Sequence, residues 1–434
     1  MKKTLIIMLV AVFLISGVVS AQTDWVTERR IGNPDAENVI TMNVQQFSYW
    51  TSSYEQRSKY LKEAYETWAR KNPNYQIKVT LGSKNINETM VKIIEQANVG
   101  NAPDIAYLDS FFLPRFYPHL SSIDHMLTEE EKNDFFGFVR EGMTNNEGNI
   151  AALWTETDVR GLYYRTDLVP EAPETWDELI DVASEIGNME NNVDGYVFPA
   201  GRGEGTTFSI LPFYWAQGGK LVDETGRPVF NEGENREYFI SILDFLKELV
   251  DSGASPSRVT SYKTLGEFNS EVAAGSAAMF PGGNWQKNMF YDIVDEEEAD
   301  KWEIAPLPQK EAGMSSSGSG GWVFGIFTED EGKKAAAVRF IKGVYMNPEW
   351  YEISGYLPTR NSVFEDYHHF RSNKYSQQFQ KFLQTSNARP GFPIYPTISS
   401  EIQVAVADVI TGGKTPEEAL DNAWDNVMDQ YEDM

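Results

Sequence analysis

Between Val39 and Leu108 the apolar residues switch back and forth between a spacing of two and one of about 3.6. Val39 to Val44 reads as a strand that ends in the aromatic cluster Phe47, Tyr49 and Trp50. Tyr54, Leu61, Tyr65 and Trp68 then share a helical face, and Asn72-Pro73 stops that helix. Ile77, Val79 and Leu81 alternate as a second strand. Met90, Ile93, Ile94 and Ala97 form another helical face closed by Gly100, and Asp104 to Leu108 is a short buried strand. Strands that alternate with helices predict an α/β layer built on a mostly parallel sheet.

The same style resumes further along. Ile150 to Trp154 and Gly161 to Tyr164 read as strands on either side of a polar turn. Thr175-Trp-Asp-Glu178 is a capping box ahead of a helix carrying Leu179, Ile180, Ala183 and Ile186. Lys220 to Phe230 reads as a hairpin turning at Asp223-Glu-Thr-Gly226, followed by a long amphipathic helix from about Arg236 to Val250. Gly275 to Phe280 is a strand of small residues leading into Pro281-Gly-Gly-Asn-Trp285. The Ser/Gly-rich stretch Ser315 to Gly321 precedes the strand Trp322 to Phe327. Beyond it the chain is mainly helical, and Thr415, Pro416 and Glu418 mark the start of the last helix. A chain of 434 residues is too long for one core, so two domains are expected.

Lys2-Lys3, the apolar run Leu5 to Val19 and the small residues Val19-Ser20-Ala21 have the layout of a signal peptide over 1–21, leaving Gln22 first. The run is short for a membrane span of about 20 residues. Residues 22–38 read as a loose N-terminal arm. A soluble protein, exported to the periplasm or outside the cell, is expected. With a formal net charge of −27, the chain is repelled by phosphate backbones and anionic membranes, which argues against nucleic-acid binding. There are no cysteines, which removes disulfides, thiolate metal sites and a cysteine nucleophile. The four histidines (His119, His125, His368 and His369) form no metal-ligand pattern. Neither a metal nor a cofactor is expected.

Familiar catalytic motifs fail on spacing. Gly412-Gly-Lys-Thr415 lacks the upstream glycine of a phosphate loop, so it reads as a helix stop followed by the next N-cap. Gly201, Gly203 and Gly205 miss the dinucleotide fingerprint, and Asp292 to Asp300 lacks the spacing of a calcium loop. Aromatics beside polar groups nevertheless recur at the expected strand ends: Tyr49-Trp50, Asp109-Ser110-Phe111, Trp154 to Asp158, Asn284-Trp285 and Gly321-Trp322. Open α/β sheets bind ligands beyond such ends. Ring faces that stack on a pyranose, beside carboxylates, amides and Arg that bond its hydroxyls, are the composition of a carbohydrate cleft.

Six segments in order resemble the extracellular solute-binding proteins of bacterial sugar ABC transporters, the maltose- and trehalose-binding group. They are APDIAYLD (102–109), the stretch from Ala152 to Ala183 beginning ALWTETDVRGLYY, AAGSAAMFPGGNW (273–285), GGWVFGIF (320–327), YLPTRNSVF (356–364) and TPEEALDNA (415–423). Two features depart from the family. No cysteine is available for lipid attachment, and ALW stands where ALP is usual.

The resemblance implies two lobes joined by crossover strands, with a ligand cleft between them. The first lobe is expected over 39–153 plus 277–328 and the second over 154–276 plus 329–434. It implies ligand contacts at Trp50, Asp109, Asp158, Trp285, Gly321, Trp322 and Arg360, with Glu156, Arg160 and Trp215 as further candidates. Asp109 and Asp158 would accept from sugar hydroxyls, Trp285 and Trp322 would stack, and Arg360 would donate at the edge. Arg160 has an alternative role, pairing with an acid of the opposite lobe, and Trp215 that of second-lobe core. The implied partners are a mono- or oligosaccharide and the membrane permease of an ABC transporter, with the receptor a monomer. Two other readings stay open. One is a secreted glycoside hydrolase using Glu156, Asp158 or Asp109, and the other a same-fold receptor for a polyamine, peptide or phosphorylated solute.

Overall fold

A computed structural model describes residues 24–433, apart from 84, 146, 190–191 and 288–293. The signal-peptide segment 1–21 lies outside the described residues. Strands β1 (Val26–Thr27), β2 (Arg30–Gly32), β3 (Asn38–Val44), β4 (Tyr75–Leu81) and β5 (Ile105–Asp109) form one side of the molecule. β3 lies parallel to both β4 and β5, as the alternating pattern predicts. The stretch expected as a loose arm instead contributes β1 and β2, and β2 pairs antiparallel with β4. The helix Glu55–Lys71 covers this side with Leu61, Tyr65 and Trp68 turned into the core.

The sheet continues through two strands longer than the sequence suggests. β6 runs unbroken from Ala152 to Arg165, through the segment read as a polar turn. β10 (Ser317–Ile326) likewise absorbs most of the Ser/Gly-rich stretch. Along β6 the residues Thr155, Glu156, Thr157 and Asp158 are buried, and burying polar groups costs free energy unless each finds a partner. Thr155 donates its hydroxyl to the Trp322 carbonyl at 3.0 Å, and Thr157 donates to that of Gly320 at 3.0 Å. Ser319 and Ser317 of β10 donate to the Asp158 and Arg160 carbonyls at 2.8 and 2.7 Å. Each strand's hydroxyls thus serve the other's backbone.

β6 and β10 are the crossovers between two lobes. Ala152–Val159 pairs with β10, whereas Arg160–Arg165 pairs with β8 (Ala277–Gly283) and β9 (Trp302–Ala305). β8 continues to β7 (Asp194–Tyr196). On β10, Trp322–Ile326 pairs with β5, and Ser317–Ser319 pairs with β12 (Ser386–Ala388). One more short strand completes the sheet: β11 (Leu357–Pro358) pairs antiparallel with Glu156 and Thr157 of β6. Among the described strands the parallel pairs are β3–β4, β3–β5, β7–β8 and β10–β12, and the crossings are antiparallel.

Segment grouping differs from the expected boundaries in two places. Residues 277–283 pair within the second side, and the helix Glu331–Val344 packs against the helix Glu55–Lys71 and β3 of the first. The chain passes back to the second side near the helix Lys374–Leu383, which contacts β6 and β9. The helices Tyr395–Ile410 and Pro416–Glu432 then pack on the helix Gly233–Asp251. Polar residues around this third passage give no period to read. The hairpin expected over Lys220–Phe230 reduces to a turn closed by a Val222–Pro228 bridge. Thr175 and Thr415 both make their capping boxes.

At the crossing, Gly321 has φ +136°, and a Cβ there would lie 1.9 Å from the Glu156 carbonyl oxygen. Only glycine satisfies both constraints. Gly321→Ala should therefore lower stability by about 2–4 kcal/mol, read as an earlier midpoint in urea unfolding followed by tryptophan fluorescence.

Candidate functional site

Asp109 ends β5 and caps the turn that follows, its Oδ1 accepting from the Phe111 amide at 3.4 Å. Asp158 and Arg160 are two residues apart on β6, so the strand's period of two puts both side chains on one face. Arg160 Nη1 donates to Asp158 Oδ1 at 3.0 Å. Glu204 and Phe208 lie one turn apart on the helix Glu204–Ala216. Arg389 follows β12 and reaches both lobes. Its Nη2 donates to Asp109 Oδ1 at 3.0 Å and its Nη1 to Glu204 Oε1 at 3.2 Å. Glu204 is held in turn by the Tyr395 hydroxyl at 2.6 Å and the Ser399 hydroxyl at 2.5 Å.

The two guanidiniums alternate with aromatic rings. Arg389 lies 4.3 Å from the ring centroids of both Phe111 and Phe208. Arg160 lies 4.4 Å from Phe208 and 4.5 Å from Trp285. The result is a stack in the order Phe111, Arg389, Phe208, Arg160, Trp285, running from the first lobe into the second. Beneath it, a Cβ on Gly320 would sit 3.0 Å from Arg389 Nη2 and 3.6 Å from Asp158 Oδ1. Tyr356 joins the far end, 6.0 Å from Trp285 and accepting from Trp322 Nε1 at 3.3 Å.

Of the residues expected at the site, this arrangement brings together Asp109, Asp158, Arg160 and Trp285, with Trp322 attached through Tyr356. Arg160 pairs with an acid of its own strand. Trp322 is 6% exposed and stacked on Tyr107 at 5.0 Å, so its ring is already packed in the core. Gly321 serves the crossing backbone. Trp50, Arg360 and Trp215 stand apart in their contacts, and Glu156 lies behind the site. Trp50 donates to the Thr27 carbonyl at 3.3 Å beneath Lys62. Arg360 donates to the Met346 carbonyl at 2.9 Å. Trp215 closes the helix Glu204–Ala216 and packs half-buried on the core.

Glu204, Phe208, Arg389 and Tyr356 were not among the expected contacts. Arg389 sits in Ala-Arg-Pro-Gly-Phe-Pro, a loop sequence without periodicity. The only local signal is an arginine held between turn-forming residues.

Burial dominates the electrostatics. It pushes the Asp109 carboxyl up to about 6, with Asp158 and Glu204 adding repulsion and Arg389 opposing. Burial lowers Arg160, while the Asp109 and Glu204 carboxylates outweigh burial and raise Arg389. Glu156 is fully buried behind the site, its Oε1 accepting from Trp350 Nε1. Its Oε2 has no hydrogen-bond partner, and burial pushes the carboxyl up to about 7 against Trp350, Tyr107 and Arg57. Among the described residues no cluster of His, Asp and Glu is arranged to hold a metal ion. What converges here is a set of acceptors, planar donors and ring faces, the groups that bind a polyhydroxylated molecule.

The signature of the bacterial extracellular solute-binding proteins matches residues 62–381. The chain belongs to this family. Among its relatives is a probable amino-acid ABC transporter periplasmic-binding protein of Sinorhizobium fredii, 27% identical over 40% of this chain and 37% of that protein. A maltotriose-binding protein of Pyrococcus abyssi is 23% identical over 73% of this chain and 67% of its own length. The match thus spans little more than a third of the first relative and about two thirds of the second. The fold agrees with the maltose-bound MalE3 of T. maritima at TM-score 0.75 and 24% identity, covering 90% of this chain and 99% of that one. The maltotriose-bound protein of Thermus thermophilus gives TM-score 0.72 at 18% identity, covering 90% and 100%. The solute-binding fold places two lobes around the crossovers, where the guanidinium–aromatic stack lies. Among the described residues no helix is long and apolar enough to cross a membrane.

Glu156 gives this solute-binding protein a pH signature. Its folded pKa lies above the unfolded value, so the native state holds the extra proton between them. Stability should fall as pH rises from about 4.5 to about 7, by up to ~3 kcal/mol, and level off above. Asp109 contributes in the same direction up to about 6. Glu156→Gln should flatten most of the decline between pH 5 and 7.5 in urea midpoints taken across pH. An unchanged slope would place the titration elsewhere.

Proposed function

We propose that this protein captures a sugar, an oligosaccharide by preference, between its lobes and delivers it to the permease of an ABC transporter. The carrying observation is the convergence of Asp109, Asp158, Arg160 and Trp285 on one stack between the lobes. Carboxylates accept from sugar hydroxyls, the Arg160 guanidinium donates to them, and Trp285 offers a face to a pyranose ring. Closure desolvates each of these groups, so a ligand must satisfy all of them at once, and this gives selectivity. Relatives that bind maltose and maltotriose support the sugar class.

In this reading residues 1–21 are a signal peptide removed on export, and the mature protein is a soluble monomer in the periplasm or outside the cell. The lobes follow strand pairing: the first holds 24–157 with 322–366, the second 158–320 with 374–433. Asp109, Asp158, Trp285 and Arg160 contact ligand. Gly321, Trp322 and Glu156 shape the crossing behind it.

The hydrolase alternative is less well supported. Asp109 and Asp158 are each committed to an arginine, and Glu156 is enclosed in the core. The amino-acid label on one relative keeps a non-sugar solute worth testing.

Thermal unfolding against mono- to hexasaccharides, with polyamines, amino acids and peptides as controls, tests the proposal directly. A ligand at 100 times its dissociation constant adds about 2.7 kcal/mol, a readable rise in midpoint. A rise with one sugar class, and that sugar recovered intact, is the expected result. A rise with amino acids or polyamines alone would discard the sugar. Calorimetry on Trp285→Ala should then show binding weakened by about 1–3 kcal/mol, roughly ten- to hundredfold. Unchanged affinity for every bound sugar would remove Trp285 from the site.

A further inference from the structure

The segment 385–394, Thr-Ser-Asn-Ala-Arg-Pro-Gly-Phe-Pro-Ile, leaves the sheet after β12 and lies across both lobes. On the first-lobe side a Cβ at Gly391 would lie 2.3 Å from Pro114 Cγ, so strap and lobe are in direct contact. On the second-lobe side Phe392 lies against Gly226, where a Cβ would lie 2.5 Å from the ring. Pro390 and Pro393 have fixed φ, which stiffens the strap. Arg389 points inward from it.

Arg389 engages each lobe in the same two ways. Asp109 and Phe111 of the first lobe give it a carboxylate at 3.0 Å and a ring at 4.3 Å. Glu204 and Phe208 of the second give it a carboxylate at 3.2 Å and a ring at 4.3 Å. Its side chain is 6% exposed, and its Nε is buried without a partner. A planar cation between two rings, with a carboxylate at either edge, satisfies much of what a hydroxylated ligand would otherwise satisfy.

We propose that Arg389 is an internal competitor for the ligand: it latches the lobes together through Asp109, Glu204, Phe111 and Phe208, and capture exchanges it for ligand groups. This rests on the sugar-binding reading in one respect, that Asp109 and the ring faces belong to the ligand site. The latch itself does not depend on the ligand's identity. Arg389 sets affinity by subtraction, because every ligand hydroxyl bonded to Asp109 displaces a guanidinium N–H. The measured dissociation constant is the intrinsic one divided by the fraction of molecules in which the latch is open.

The test combines small-angle scattering with calorimetry on the full mature chain. Arg389→Met keeps the length and apolar stem of the side chain but removes its charge and donors. Arg389→Met/Glu204→Gln also removes the carboxylate left without its cation, which separates competition from charge repulsion and from loss of folding. In the absence of ligand, both variants should show a larger radius of gyration than the wild-type protein. With the sugar identified by the unfolding panel, all three should converge on one value. The dissociation constant should fall about three- to tenfold in the double variant. Weaker binding in the double variant would make Arg389 a donor to the ligand and overturn the competition. An unchanged radius in the ligand-free variants would overturn the latch. If no sugar binds even the wild-type protein, the sugar reading fails, and the ligand-free scattering alone decides the latch.

Discussion

The antiparallel pairing of β6 with β10 is the constraint on which both lobes depend. Two strands long enough to belong to both lobes must run through the space between them, and there they are buried with polar side chains along them. The polar run Thr155 to Arg160 solves this through the hydroxyls of Thr155, Thr157, Ser317 and Ser319, which bond the facing strand's carbonyls. The crossing also fixes the site. Asp158 and Arg160 face one way because they alternate on β6, and Asp109 is brought up because β5 ends opposite Trp322 of β10.

A second consequence is the division of labour among acids. Three carboxylates at the site are each matched to a guanidinium, with Arg389 shared between Asp109 and Glu204. Glu156, two residues before Asp158 on the same strand, is instead sealed against Trp350 and holds its proton to a higher pH. Removing a carboxylate from water raises its pKa, and a nearby cation opposes the rise. Two carboxylates on one strand therefore differ: Asp158 is paired with Arg160, and Glu156 is a buried packing group. Aromatics divide similarly: Trp285 lies against Arg160 at the site, while Trp322 packs on Tyr107 behind it.

Elements with strong local signals were legible in the sequence. The alternation of β3, β4 and β5 with helices follows from hydrophobic period, and the capping boxes at Thr175 and Thr415 form from residues three apart. The continuous strands β6 and β10 were not legible as such. Their central residues are polar or glycine, and hydropathy reads such runs as turns. The third passage between lobes, near Lys374–Leu383, was missed for a similar reason.

The sequence by itself determined the strand–helix alternation, the helix ends and the family resemblance, because each depends on residues near one another or on motifs kept in order. Asp109, Asp158, Arg160 and Trp285 were among the contacts the resemblance implies, and the fold brings them together. Only the tertiary structure decided which other groups meet them. Arg389 and Asp109 are 280 residues apart, and neither position carries a local mark of the other. Their contact arises where a strap after β12 and the end of β5 meet along successive stretches of β10. Long-range pairings of this kind are set by topology and packing, which no window of sequence contains.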